Sequence, residues 1–265
     1  MKKIVVLLSL LLTFTFCGCG SPVAQDNQIA IPDTPPIDDT FTENEPDLDE
    51  DEQEKKKKTY AISTANGLRV RSAPNSSSRT LGYLDENDVV TVTSKQGAYY
   101  QTTFREQTAY VHSSYCKEMQ IEAHDDKIES AIDLGSTLLG HPYVWGSQRY
   151  HWGNGVLNKD FVKGEFDCSA LVQYVYYKSN GVLLDVTSRS QVNNGLYVAK
   201  SDLRRGDLMF FTNASRKNKT GNERIGHVGI YFGNNYILHT ASDHAVIEPI
   251  STLRWSYYIT ARRVV

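Results

Sequence analysis

The stretch FDCSALV at residues 166–172 combines the signal for the start of a helix with a reactive side chain. Asp167 is a preferred N-cap residue, and apolar side chains recur on one face as far as Tyr176, before the helix-ending pair Asn180-Gly181. The pattern predicts a helix that begins at Cys168. The positive end of the helix dipole and the free N–H groups there favour a thiolate, the nucleophilic form of cysteine. An unreactive, packed thiol is the alternative.

Two histidines downstream of this helix lie in a predicted hairpin. His227 begins the strand-like run HVGIYF, and His239 ends the run YILH after the turn Gly233-Asn234-Asn235. A two-residue turn would place the histidines on opposite faces of the sheet. A three-residue loop pairs Phe232 with Tyr236 and places both histidines diagonally on one face, with side chains about 7–8 Å apart at the backbone end. We expect the second arrangement.

Cys168, His227 and His239 together suit acyl transfer, because they supply a nucleophile, a general base and a group that orients the base. A zinc site has the same residue types, but no second short-spaced ligand pair or metalloprotease helix motif accompanies them. A serine hydrolase is disfavoured because the sequence has no G-x-S-x-G elbow. A low-pKa Cys168 would react with iodoacetamide well below pH 8.

A further helix is predicted upstream of the cysteine. Asp126 and Glu129 form a capping-box pattern in front of regularly spaced apolar residues. Gly140 and Pro142 end this helix.

The preceding segment, residues 59–119, has the pattern of a small all-β barrel. Short period-two runs alternate with Gly, Pro, Asn and Ser breaks, as in LRVRSAP at 68–74 and YVHSSY at 110–115. These two stretches resemble bacterial SH3-like domains of cell-wall enzymes. The resemblance implies contact with wall peptides or positioning of a neighbouring catalytic domain, and a spacer that binds nothing is the alternative. Cys116, at the end of this segment, is expected to be a packed thiol.

Residues 125–265 resemble the NlpC-type cell-wall cysteine peptidases. The segment 166–172 looks like that family's F-D-C-S-G-L-V motif, and GHVGIY at 226–231, with His239 twelve residues after His227, looks like its base and orienting residue. RGDLMFF at 205–211 and YVWGS at 143–147 look like its P-G-D-L-V-F-F and Y-x-W-G-G motifs. The resemblance implies an α+β, papain-like domain in which a helix packs on an antiparallel sheet.

The same resemblance implies an activity and a set of site residues. The activity is hydrolysis of the γ-D-glutamyl to diamino-acid bond in peptidoglycan stem peptides, without a cofactor. The catalytic residues would be Cys168, His227 and His239. Five residues would contact the substrate: Tyr143, Trp145, Asp167, Ser169 and Thr187. Ser188 is the alternative to Thr187.

Several residues depart from the family pattern. Ala170 and Ser147 replace glycines, and Val186 stands where an arginine often precedes Thr187. Residues 148–165 form a long aromatic insertion, which is either a wall or lid over the substrate or a packed surface loop. None of these departures removes a member of the Cys-His-His set, so specificity is affected more than activity.

The N-terminal segment has the pattern of a secretion signal followed by a tether. Lys2 and Lys3 precede an apolar run that is too short to span a bilayer core of ~30 Å, and Cys19 follows a small residue at a site resembling a lipoprotein cleavage box. Residues 1–19 are therefore predicted to be a lipoprotein signal. An ordinary cleaved signal with incidental cysteines is the alternative. Residues 20–58, rich in proline and acids, are predicted to be an extended tether.

Charge and composition narrow the partners. The formal net charge of −3 divides into −10 for residues 1–54 and +7 for the remainder. Nucleic acid is not an expected partner. We expect a monomer that is anchored by lipid to the outer face of a bacterial membrane and acts on stem peptides. The non-enzymatic alternative is a wall-binding lipoprotein whose catalytic fold has decayed. A lipid acyltransferase is disfavoured because its histidine segment would precede its cysteine segment.

Overall fold

The computed structural model describes residues 56–241 and 243–265 of the 265-residue chain. The predictions for the signal segment, for lipidated Cys19 and for nearly all of the tether lie outside the described residues. Within the two described ranges, every helix is too short or too polar to cross a lipid bilayer.

The first half of the described chain consists of strands and one short 3-10 turn. The strands are β1 (Lys57–Ser63), β2 (Leu68–Arg71), β3 (Thr80–Leu84), β4 (Val89–Thr91), β5 (Ser94–Gln96), β6 (Tyr99–Phe104), β7 (Gln107–His112) and β8 (Cys116–Glu122).

These strands form two small antiparallel sheets, with the orders β4-β1-β8 and β3-β2-β7-β6-β5. The first and last strands of this half pair along their whole length, from Lys57 opposite Glu122 to Ser63 opposite Cys116. Alternate side chains point inwards along the strands, as the period-two pattern predicts, and they bury a core of Tyr60, Val70, Val90, Phe104 and Val111.

The second half combines helices with one six-stranded sheet. Its elements are α1 (Asp126–Thr137), α2 (Cys168–Asn180), α3 (Ser188–Gln191), β9 (Leu196–Val198), β10 (Leu208–Phe211), β11 (His227–Gly233), β12 (Tyr236–Ala241), β13 (His244–Pro249), α4 (Thr252–Ser256) and β14 (Tyr258–Arg263). The strands are antiparallel, in the order β13-β12-β11-β10-β14-β9, and α2 packs on β11 and β12. This architecture confirms the predicted α+β fold class.

Helix α1 begins one residue earlier than the capping-box pattern predicts. The Asp125 carboxylate, not that of Asp126, accepts hydrogen bonds from the N–H groups of Lys127 and Ile128, both at 3.0 Å. The Asp125 cap turns Ile128 into the core, where its side chain is buried. Glu129 still reaches back, to the backbone N–H of His124 at 3.0 Å.

The turn between β6 and β7 packs against the end of α1. Arg105 and Glu106 form this turn in the left-handed backbone region, and their N–H groups donate to the carbonyls of Leu139 (2.9 Å) and Thr137 (2.8 Å). The last carbonyls of a helix have no hydrogen-bond donor within the helix. The Glu106 N–H supplies this donor for Thr137, the last residue of α1. At Gly140, any Cβ would lie 2.1 Å from the Phe104 ring, so the close packing requires glycine.

A buried ion pair lies where the two halves meet. The Arg205 guanidinium donates to both carboxylate oxygens of Glu129 (2.9 and 3.1 Å), to the Tyr60 hydroxyl (2.5 Å) and to the Phe232 carbonyl (2.6 Å). Only 1% of the Arg205 side chain is exposed. Burial alone would raise the pKa of Glu129, but the hydrogen bonds from Arg205 and from the His124 backbone lower that pKa to about 2. Glu129 is therefore charged at neutral pH.

Replacing Arg205 with methionine is expected to lower the free energy of unfolding by about 3 kcal/mol, because the substitution removes two hydrogen bonds and the buried countercharge from Glu129. Glu129 then keeps Lys58, at 3.0 Å, and the His124 N–H as partners. Urea denaturation of the full chain measures this loss. Arg216→Met is the control: Arg216 pairs with the largely exposed Glu223, so we expect a change below about 1 kcal/mol. Equal losses in the two variants would contradict a special role for the buried pair.

Candidate active site

Helix α2 places Cys168 at its first position, as the sequence predicts. Asp167 is the N-cap, and its Oδ1 accepts the Ala170 N–H at 2.8 Å. Gly181 ends the helix in the left-handed conformation that glycine adopts readily. Cys168 is 9% exposed, so most of its surface is packed while a small part stays open to a substrate.

Arg149, from the insertion, holds the beginning of α2. Its Nη2 donates to Asp167 Oδ2 (2.8 Å) and to the Ser169 hydroxyl (3.0 Å). Its remaining donors bond the backbone carbonyls of Ser147 and Val186. No local sequence pattern indicates Arg149, because most of its partners are far away in the chain and no motif spacing connects them to it.

The β11–β12 hairpin brings the two histidines together by a different turn from the predicted one. Asn234 and Asn235 form a two-residue turn with φ values of 50° and 65°. Gly233, not Phe232, pairs with Tyr236, so the predicted three-residue loop is wrong. Conformations with positive φ at both central positions are the usual ones for two-residue hairpins, and Asn tolerates them.

A β-bulge at Phe232 nevertheless restores the predicted register. Beyond it, Ile230 pairs with Leu238, and the same register puts Gly229 opposite His239. A Cβ on Gly229 would lie 2.9 Å from the Cβ of His239, so the glycine leaves room for the histidine. The histidines therefore share a face although the turn has two residues, because the bulged strand contains one residue more than its partner.

The two rings meet directly. His227 Nε2 lies 2.8 Å from His239 Nδ1, with the ring planes at 74°. His239 is fully buried, and His227 is half-buried. The other ring nitrogen of His239, Nε2, lies 2.9 Å from Glu248 Oε1. Glu248 was not among the site residues that the sequence indicated.

The Cys168 sulfur lies beside the start of β11. Burial raises the pKa of Cys168 to about 11, and the negative charge of Asp167 adds to this, while hydrogen bonds from the backbone of Val228 and Ser169 oppose it. The rise is equivalent to about 3 kcal/mol, whereas a helix dipole supplies about 0.3–1 kcal/mol. Burial therefore opposes the dipole, and the direction of the shift favours the protonated thiol over the expected thiolate in the site without substrate.

The histidines are neutral as well. Burial lowers the pKa of His227 well below its ordinary value, and the neighbouring His239 lowers it further. Burial also lowers the pKa of His239, against the raising effect of Glu248. At neutral pH the site therefore holds a protonated thiol beside the start of β11 and a neutral imidazole on the first residue of that strand. A neutral imidazole has the chemistry of a general base.

The residues expected to contact substrate have different surroundings. Tyr143 lies near Cys168 and Asp167: burial raises the pKa of its hydroxyl, and the charge of Asp167 adds to this. Trp145 is 86% exposed. Thr187 caps α3, and its hydroxyl lies 2.9 Å from that of Ser190. Asp167 and Ser169 bond to each other and to Arg149. The substrate contacts of all five residues remain predictions.

The insertion at 148–165 is anchored on α2. Tyr150 makes edge contacts with Phe161 and Tyr174, with ring centroids 5.1 and 5.2 Å apart. His151 is fully buried, and its Nδ1 accepts the Gly153 N–H at 3.0 Å. Trp152 remains half exposed. The packed-loop alternative therefore describes the inner side of the insertion, and a role in contacting substrate remains untested.

The other cysteine of the described chain is packed, as predicted. Cys116 is partly buried, its thiol lies 3.7 Å from the His112 carbonyl, and burial raises its pKa to about 11. Across residues 56–241 and 243–265, no cluster of three or more His, Cys, Asp or Glu side chains is arranged to hold a metal ion.

Residues 140–264 match the NlpC/P60 family, and residues 66–117 match the bacterial SH3 domain. Among curated proteins, the chain is 34% identical over 157 residues to the peptidoglycan DL-endopeptidase CwlO of Bacillus licheniformis, covering 57% of this chain and 31% of CwlO. It is 32% identical over 151 residues to the murein DD-endopeptidase MepS/murein LD-carboxypeptidase of Escherichia coli, covering 54% of this chain and 72% of the relative.

The chain belongs to the NlpC/P60 family of cysteine peptidases. It is also 30% identical over 138 residues to a γ-D-glutamyl-L-lysine dipeptidyl-peptidase of Bacillus cereus, covering 51% of this chain and 36% of the relative. A crystal structure of a Bacillus cereus NlpC/P60 protein is similar at 23% identity and a TM-score of 0.41, covering 78% of this chain and 63% of that one. The chain spans less than a third of the length of CwlO.

Alkylation of Cys168 by iodoacetamide is expected to be slow at pH 7 and to accelerate about tenfold per pH unit up to about pH 10, because the thiolate is the reactive form and burial raises the pKa of Cys168 to about 11. Mass spectrometry of the peptide that contains Cys168 separates its reaction from that of Cys116. A plateau in the rate below pH 8 would instead demonstrate a thiolate–imidazolium pair.

Proposed function

We propose that this protein is a peptidoglycan hydrolase that cleaves the γ-D-glutamyl to diamino-acid bond of stem peptides through a Cys168 acyl-enzyme. The observation that carries the proposal is the 2.8 Å contact between His227 and His239, at the start of the strand whose Val228 backbone bonds the Cys168 sulfur. Similarity to CwlO and to the γ-D-glutamyl-L-lysine dipeptidyl-peptidase supports the substrate class.

The first step of the proposed mechanism starts from a neutral thiol and a neutral imidazole. As the Cys168 sulfur attacks the γ-carbonyl, its proton passes to His227, which acts as general base. The backbone N–H of Cys168, at the start of α2, helps to stabilise the oxyanion. His227 then protonates the leaving amine, and water hydrolyses the thioester.

His239 has an orienting role in this scheme. Its Nδ1 engages Nε2 of His227, which leaves the other ring nitrogen of His227 for the sulfur. The full burial of His239 protects this contact from competition by water. Loss of Cys168 is therefore expected to abolish turnover, whereas loss of His239 slows it.

Fewer observations support the proposed bond specificity than support the substrate class. CwlO is named a DL-endopeptidase, and MepS is named a DD-endopeptidase and LD-carboxypeptidase. The γ-D-glutamyl bond is our choice because the motif residues resemble those of peptidases with that activity. The masses of the products distinguish this bond from the others.

The cellular setting is part of the proposal. We propose that Cys19 carries lipid, so that the enzyme works from the outer face of the bacterial membrane at the end of an acidic tether. We propose that it acts there as a monomer.

Incubation of purified stem peptides with the full chain is expected to yield cleavage only after D-glutamate. Cys168→Ala is expected to give no product, and His239→Ala is expected to lower kcat about 10- to 100-fold, because it removes one hydrogen bond that orients the base. Mass spectrometry of the products, with diaminopimelate and lysine peptides compared, gives the bond and the preferred diamino acid together.

Cys116→Ala serves as the matched control, because it removes a packed thiol from the SH3-like half and should keep full activity. Cleavage between two D-residues would replace the proposed specificity with that of a DD-endopeptidase. Absence of any cleavage, together with an unreactive Cys168, would favour the decayed, wall-binding alternative.

A further inference from the structure

The polar contacts that begin at His227 do not end at His239. His239 Nε2 lies 2.9 Å from Glu248 Oε1, and the same oxygen accepts a hydrogen bond from Arg254 Nη2 at 3.0 Å. A row of four side chains thus leads from the proposed base to the surface. Glu248 and Arg254 were absent from the sequence-based site.

The sheet creates this row by repeating one geometric step. His227 on β11 lies diagonal to His239 on β12, since Gly229 is opposite His239 in the register. Val246 pairs with His239, so Glu248 on β13 lies diagonal to His239 in turn. Residues two apart on a strand share a face, and diagonal neighbours are within reach of long side chains.

We propose that Glu248 is a positioning residue that sets the tautomers of both histidines and thereby makes Nδ1 of His227 the catalytic base. An ionised carboxylate can only accept hydrogen bonds, so His239 must donate from Nε2. A neutral imidazole carries one proton, so Nδ1 of His239 must accept, and His227 must donate to it from Nε2. The lone pair of His227 that remains is on Nδ1, and it is available to the Cys168 thiol.

Arg254 helps to keep Glu248 ionised, as the proposed histidine tautomers require. Its guanidinium is held at the site by α4, whose N-cap Ser251 accepts the Arg254 N–H at 3.1 Å. Burial alone would raise the pKa of Glu248, but the hydrogen bond from His239 and the charge of Arg254 bring that pKa below its ordinary value. Glu248 is consequently an acceptor at neutral pH, although 31% of its side chain is exposed.

The inference rests on the proposed function for its kinetic consequence, but the tautomers can be observed without substrate. Two-bond ¹H–¹⁵N correlation spectra of the full chain distinguish protonated from bare ring nitrogens. We expect both His227 and His239 to be protonated at Nε2 and bare at Nδ1. A proton on Nδ1 of either ring in the wild-type protein would overturn the proposal, whether or not stem peptides are cleaved.

Variants of Glu248 test the cause. Glu248→Ala is expected to mix the tautomers of His239 and to lower kcat about tenfold with KM unchanged, the size of effect expected for one hydrogen bond to a charged group. Glu248→Gln retains a carbonyl oxygen that accepts from His239, so it should keep the wild-type tautomers and most of kcat. Glu223→Gln, at an exposed glutamate that also contacts arginines, is the control and should change neither.

A purely structural role for Glu248 gives a different pattern. It would lower the thermal stability in both Glu248 variants while the histidine tautomers and kcat of the folded fraction stayed at wild-type values. That result would overturn the proposal. If no variant and no wild-type sample cleaves stem peptides, the proposed function fails, and the histidine spectra still decide the role of Glu248.

Discussion

The rest of the site depends on the hydrogen bonds of the Asp167 carboxylate. One of its oxygens caps α2 through the Ala170 N–H and receives the Ser169 hydroxyl, and the other receives Arg149. The cap determines where the helix begins, and so puts Cys168 in its first turn. Arg149 also holds the insertion at the start of α2, because its Nε and Nη1 donate to the backbone carbonyls of Val186 and Ser147. A side chain that starts a helix thus also organises the loops around the nucleophile.

The sheet positions His227, the proposed base. Each of the three polar residues on β11, β12 and β13 lies diagonal to the next, and the row depends on a register that a bulge at Phe232 preserves. Glycine opposite His239 provides the space for the buried ring. The orientation of the base is therefore a property of strand pairing, in which the backbone ladder sets the distances between side chains.

Burial decides the electrostatic state of the site. It raises the pKa of Cys168 and lowers those of His227 and His239, so each group is held in its neutral form. Charge is carried instead by two neighbouring ion pairs, Asp167–Arg149 at the N-cap of α2 and Glu248–Arg254 beyond His239. A neutral nucleophile and base between two ion pairs suit a reaction in which charge develops during attack on the carbonyl group.

The sequence by itself determined the helix at Cys168 and the all-β first half, and it indicated Cys168, His227 and His239 as the candidate catalytic residues. Those features follow from local signals: caps, apolar periodicity and motif spacing. The tertiary structure decided the turn at Asn234-Asn235, the cap at Asp125 and the positions of Arg149 and Glu248. Burial of Cys168 also favours the protonated thiol over the expected thiolate. Register, burial and contacts between distant segments arise from packing of the whole chain, and no short stretch of sequence contains them.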